Sequence, residues 1–136
     1  VSAGVSNALN ASEKSPTLFT GSPVPQWGTV NTVIITNARL LDDCLVSAVI
    51  TATEAKTASL FDLGVKSVVT GAQATGTGTD SVTVVSGHGT EIQYAGGHTL
   101  FGQLIGEAVY TGVKRSLSRT APGNWDLDKI RSRFNF

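Results

Sequence analysis

The sequence has no methionine, only one cysteine and two histidines, and no excess of charge of either sign. Each shortage excludes something. The single cysteine, Cys44, cannot close an intramolecular disulfide, and a lone thiol fits a reducing, cytoplasmic compartment. Ten Lys+Arg balance ten Asp+Glu, so the basic excess that accompanies nucleic-acid binding is missing. Two histidines and one cysteine form no familiar zinc spacing, so no metal is expected. No stretch approaches the run of about 20 apolar residues that spans a bilayer, so no membrane partner is expected. The start, Val1-Ser2-Ala3-Gly4, lacks the basic region of a signal peptide. Without an initiator methionine, that opening reads as the middle of a longer domain. An upstream fragment or a second subunit is then an expected partner. The neutral charge and apolar helices also permit a homo-oligomer.

What is present suits one globular α/β domain of 136 residues, with a loop over 6–28 and a tail over 120–136. Pro16, Gly21, Pro23, Pro25 and Gly28 punctuate the loop, with a mobile stretch expected around Glu13-Lys14-Ser15-Pro16. The β-branched run Val30–Asn37 predicts a buried strand. Asp42 and Asp43 supply an N-cap and first-turn charge for a helix over 44–63, which Gly64 ends. Leu45, Val49, Ala52, Leu60 and Leu63 form one apolar stripe of that helix, and Ile50, Ala58 and Phe61 make the other side apolar too. Such a helix is expected to be buried on most sides, with Glu54, Lys56 and Thr57 partly enclosed. Further strands are predicted over 65–69, 81–86 and 92–94. A second helix over 100–117 is capped by Thr99, with Leu104, Ile105, Ala108 and Val109 inward. Its wet face carries Gln103, Glu107, Thr111 and Lys114. Asn124-Trp125-Asp126 opens a short tail helix. Strands alternating with helices predict a layered sandwich of a mixed sheet with two main helices.

Three polar clusters stand out. The run Ala74-Thr75-Gly76-Thr77-Gly78-Thr79-Asp80 lets the backbone turn tightly and present N–H groups to an anion, with hydroxyls added by Thr75, Thr77 and Thr79 and a carboxylate by Asp80. It lacks the Gly-Lys-Ser/Thr of a P-loop, and a Gly-rich connector is the plain alternative. In the second cluster, Thr53-Glu54-Ala55-Lys56-Thr57, a Glu and a Lys on an apolar helix are costly unless paired. Lys56 there can orient an amide or carboxylate or act as a base. The third is His98-Thr99 at a helix start, where a neutral imidazole can serve as base or donor. Cys44 reads as buried filler. Trp27 can stack on a flat ligand or simply pack.

These clusters, with Gly28-Thr29-Val30-Asn31-Thr32, Leu63-Gly64-Val65, Tyr94-Ala95-Gly96-Gly97-His98-Thr99 and Leu104-Ile105-Gly106, occur in an order that resembles the adenosylcobinamide amidohydrolase family. The opening Ser2-Ala3-Gly4-Val5-Ser6-Asn7 resembles a segment from the middle of that family. The resemblance covers roughly residues 2 to 113 and corresponds to the family's C-terminal part. It implies hydrolysis of the amide between the aminopropanol arm and the corrin substituent of adenosylcobinamide, giving adenosylcobyric acid in cobamide salvage. The corrinoid is then substrate, and no cofactor is implied.

Amide hydrolysis needs an attacking oxygen, a base and donors for the oxyanion. Under this resemblance Asp80 or His98 is the base. Thr75, Thr77 and Thr79, with Gly76 and Gly78, bind the oxyanion or present a nucleophilic hydroxyl. Lys56, paired with Glu54, binds the amide oxygen. Asn31 and Asn37 orient the arm, and Thr99 adds a substrate contact. Two other readings stay open: a non-catalytic module for a corrinoid or phosphate, and a structural fragment that completes a partner chain.

Overall fold

The computed structural model describes residues 1–14 and 28–120. The Pro-rich stretch with Trp27 and the expected tail helix lie outside them. Among the described residues the longest strands are β3 (Val30–Ile35) and β6 (Ser81–Val85). They pair in parallel, from Asn31 opposite Ser81 to Ile35 opposite Val85. β1 (Ser2–Ala3) joins β3 antiparallel on its other side, so the sheet is mixed, in the order β1-β3-β6. Two-stranded ribbons flank it: β2 (Ala8–Leu9) with β5 (Gly76–Thr77), and β4 (Arg39–Leu40) with β7 (Glu91–Ile92). Two helices, α1 (Asp42–Asp62) and α2 (Leu100–Thr120), pack on one face of the sheet and against each other. The predicted α/β class, with a mixed sheet and two main helices, is what the structure contains.

Alternation along the strands sets which face is covered. Val30 and Thr32 are buried and Ile34, Val82 and Val84 are half-buried, while Val33, Ile35 and Val85 are exposed. The helices run parallel to each other. Thr51 meets Gly106, the Ser59 hydroxyl donates to the Tyr110 carbonyl, and Asp62 pairs with Lys114. Small residues at this seam, Ser59 on α1 and Gly106 on α2, let the helix backbones approach closely. Gly102 is required here, because a Cβ would collide with the Ala95 and Gly96 carbonyls.

Several sequence expectations need correction. Leu41 is the N-cap of α1 and its side chain makes no cap bond; Asp42 and Asp43 lie inside the first turn, where their charge still suits the helix dipole. The buried stripe of α1 is Cys44, Ala48, Thr51, Ala52, Lys56, Ser59 and Leu60, while Ile50 and Phe61 face outward. The helix is thus covered on one side only, because small side chains, not the large ones, meet α2. Leu104 and Ala108 of α2 are exposed, and Ile105, Val109, Val113 and Leu117 carry the core.

Lys114, expected on the wet face, is buried. Its ammonium lies 4.0 Å from the Tyr110 ring centroid and bonds Asp62 of α1 at 3.1 Å. Residues 65–69 form a turn and not a strand, with a single bridge between Lys66 and Gln73. The region 6–14 is not all loop, since β2 lies in it. Glu13 is anchored there by the Ser67 and Thr70 hydroxyls, each at 2.6 Å. Gly64 does end α1 with a left-handed φ of 67°. Thr99 does cap α2, accepting from the Gly102 N–H at 3.0 Å. α1 is also long and apolar enough, by length and composition alone, to cross a membrane. Its packing on α2 and β6 is that of a core helix.

Candidate active site

The Thr/Gly run turns between β5 and β6. β5 pairs with β2, which ties the run down: the Thr75 N–H donates to the Leu9 carbonyl and the Thr75 hydroxyl accepts from the Ala11 N–H, both at 2.9 Å. The chain then folds around the Asp80 carboxylate. One oxygen, Oδ1, accepts the Val30 N–H at 2.9 Å and the Thr77 hydroxyl at 2.6 Å. The other, Oδ2, accepts the Thr77 N–H at 3.0 Å and the Lys56 ammonium at 2.6 Å. The turn does bind an anion, as its composition suggests, but the anion is the run's own Asp80.

Lys56 reaches this carboxylate from the buried stripe of α1 and is only 8% exposed. A buried ammonium needs a counter-charge, and Asp80 provides it. Asp80 supplies one acceptor, and among the described residues the other two N–H bonds of Lys56 have no partner. Gly76 makes the approach possible. A Cβ there would lie 2.5 Å from Asp80 Oδ2 and 2.8 Å from Lys56 Nζ.

Burial alone would push the Asp80 carboxyl up. The Lys56 ammonium, the Thr77 hydroxyl and the N–H groups of Thr77 and Val30 outweigh it and hold the group below the usual carboxylate range. In the unfolded chain Asp80 takes up its proton at a higher pH than in the folded protein. Its stabilisation is therefore present above the ordinary carboxyl range and is lost as pH falls through the depressed folded value. The melting temperature, followed by circular dichroism, should hold steady down to about pH 5 and drop below about pH 4. Asp80→Asn should flatten that acid limb; an unchanged limb would mean that other carboxylates set it.

The expected residues divide between two regions. Lys56, Thr75, Gly76, Thr77, Gly78, Thr79 and Asp80 gather at the N-terminal ends of β3 and β6. The Thr79 hydroxyl donates to the Gly28 carbonyl at 3.3 Å, and the Thr29 hydroxyl donates back to the Thr79 carbonyl at 2.8 Å. Asn31 is close by on the sheet face away from the helices, accepting from the Ser81 hydroxyl at 2.8 Å. Glu54 is exposed on α1 and is not the partner of Lys56; residues two apart on a helix do not face each other. Asn37 lies beyond the far end of β3, roughly 20 Å from Val30 at about 3.3 Å per residue. Its carbonyl accepts the Gly89 N–H there. His98 is exposed in the turn before α2. That turn sits beside the first half of α1, where Thr51 donates to the Ala95 carbonyl and Ala95 donates to Ser47.

Two residues went unnoticed in the sequence. Val30 contributes a backbone N–H to the site, which no side-chain pattern signals. Asn7 has a buried Oδ1, without a partner among the described residues, directly against Gly28, where even a Cβ would not fit. Its place in Ala3-Gly4-Val5-Ser6-Asn7 was the available signal. Among the described residues no group of three His, Cys, Asp or Glu is placed to hold a metal ion.

The family model for adenosylcobinamide amidohydrolase matches residues 1–124. An uncharacterized protein of Methanocaldococcus jannaschii is 46% identical over 96 residues, 70% of this chain and 38% of that protein. A Methanosarcina mazei protein named adenosylcobinamide amidohydrolase is 35% identical over 127 residues, 86% of this chain and 54% of that protein. The chain thus spans about half the length, or less, of these curated relatives. No solved structure matches it. A family match over most of the chain, covering the Thr/Gly run, Lys56 and the Ala95–Thr99 turn together, is the finding that decides: the chain belongs to the adenosylcobinamide amidohydrolase family.

Proposed function

We propose that this chain carries the polar centre of an amidohydrolase that cleaves the aminopropanol amide of adenosylcobinamide, yielding adenosylcobyric acid, and that Lys56 is the group that polarises the amide. The observation that carries this reading is a buried ammonium fixed at 2.6 Å on a carboxylate that the Thr/Gly run itself encloses. Such a cation, held rigidly and away from water, stabilises the oxyanion of a tetrahedral intermediate far better than a mobile surface lysine does. At rest Asp80 is a weak base, since both oxygens are occupied and its pKa is depressed, and it acts only on the hydroxyl already bonded to it. It positions Lys56. As Thr77 Oγ1 attacks the amide carbon, Asp80 takes the hydroxyl proton across their 2.6 Å hydrogen bond and passes it to the aminopropanol nitrogen as the C–N bond breaks. Water then hydrolyses the Thr77 ester to the free acid. That hydroxyl, bonded to the same carboxylate as the ammonium, is the attacking oxygen. Water, activated at the same place, is the alternative nucleophile.

A second reading is a corrinoid-binding module without catalysis. The closed hydrogen-bonding of the Thr/Gly run favours it, because every hydroxyl of the run already has a partner within the protein. A phosphate ligand is disfavoured on the same ground, since the carboxylate of Asp80 fills the turn.

Thr77→Val and Thr77→Ser in the full-length protein test the assignment. Cleavage is followed by mass spectrometry of released aminopropanol, and binding by corrinoid visible absorption. If Thr77 attacks, Thr77→Val should lower turnover by at least about 100-fold while Thr77→Ser keeps much of it. Equal turnover in both variants moves the attack to water. Binding without cleavage by the unaltered protein supports the second reading, and no binding at all overturns both.

A further inference from the structure

The sheet face opposite the helices is bare among the described residues. Its three cross-strand pairs are Asn31 with Ser81, Val33 with Thr83 and Ile35 with Val85. Val33 is 56% exposed and Ile35 76%. None of the six carries a charge. Strands paired in parallel are normally covered on both faces, and a solvent-facing sheet surface is normally polar, whereas Val33, Ile35 and Val85 are not. The edges are equally unguarded. Among the described residues β1 pairs only with Val30 and Asn31, which leaves the rest of β3 without a strand on that side, and β6 is the last strand of the sheet. No Lys or Pro protects either strand.

We infer that this face is an internal surface of the complete family protein, covered by the polypeptide that the longer relatives carry outside the matched region. The relatives have room for such a layer, since the match spans only 38% and 54% of their lengths. The covering element would present an apolar stripe to Val33, Ile35 and Val85 and polar groups to Asn31 and Ser81. That polar end adjoins Val30 and Asp80, so the same layer also borders the proposed site. The inference concerns packing and holds whether or not the proposed reaction is correct.

Maleimide labelling of Ile35→Cys and Val33→Cys in the full-length protein tests it, with Cys44 as the folding reference because it is buried. Both introduced thiols should label at least about tenfold more slowly than in the guanidinium-unfolded protein, at every protein concentration. Labelling near the unfolded rate while Cys44 stays protected overturns the inference. Protection that fades on dilution also overturns it, because the cover is then a second copy. Should the variants fail to fold, hydroxyl-radical footprinting of the unaltered full-length protein reads Ile35 and Val33 directly, with low oxidation expected and high oxidation contradicting the cover.

Discussion

Lys56→Met should remove most of the amidase activity, lowering kcat by about 100- to 1000-fold, the usual effect of deleting one oxyanion donor. Methionine keeps the unbranched stem and the apolar packing within α1's buried stripe, so the change isolates the charge. The variant should also lose about 3 kcal/mol of stability. Removing one partner of a buried ion pair leaves the other uncompensated. The loss should stay at the low end of that range, because the N–H groups of Val30 and Thr77 and the Thr77 hydroxyl remain on Asp80. A double-mutant cycle with Asp80→Asn checks the coupling by urea unfolding. The paired variant should be less destabilised than the sum of the single changes. Additive losses, or full turnover in Lys56→Met, would remove Lys56 from the site.

Gly76→Ala should disrupt the same centre without touching a charged group. The added methyl would stand 2.5 Å from Asp80 Oδ2 and 2.8 Å from Lys56 Nζ, closer than real carbon contacts allow. Either the ammonium or the carboxylate must give way, at a cost of about 1–3 kcal/mol for overpacking. Turnover should fall nearly as far as in Lys56→Met. Gly78→Ala, two residues on in the same run, is the control. Its Cβ would meet only Leu9 Cδ1, at an ordinary 3.6 Å, so stability and turnover should barely move. Equal effects at the two glycines would mean that the run needs flexibility and not the space above the ion pair.

The sequence was most informative where chemistry depends on neighbours along the chain. The Thr/Gly turn wraps an anion because its composition frees backbone donors, and Asp80 lies close enough in sequence to be that anion. Lys56 was conspicuous as a cation in an apolar helix, and burial did require a partner. The choice of Glu54 failed on helix geometry alone, which a stricter reading of the two-residue spacing would have caught. Asp80 as partner could not be read, because 24 residues and a strand crossover separate it from Lys56. Asn37 is grouped with the site as the polar residue at the other end of the strand from Asn31, and His98 because it sits in a matching motif. Only the strand and helix lengths show that they belong near the other end of the sheet. β2 escaped because two residues carry no periodicity. Lys114 was misread because its spacing on α2 is equally compatible with solvent and with Asp62 across the helix pair. The outward turn of Ile50 and Phe61 followed from the smallness of the residues at the seam with α2, which a count of apolar positions does not register.

The first and last described elements are joined directly: the Ala3 N–H of β1 donates to the Ser116 hydroxyl of α2 at 2.8 Å, across 113 positions of sequence. Contacts that distant are slow to form, since the intervening chain must be ordered before they repay its entropy. During synthesis β1 can pair with β3 once Asn31 has emerged, but its tie to α2 must wait until Ser116 has left the ribosome. Until then the paired strands lack the cover that α2 gives to β1 and β3.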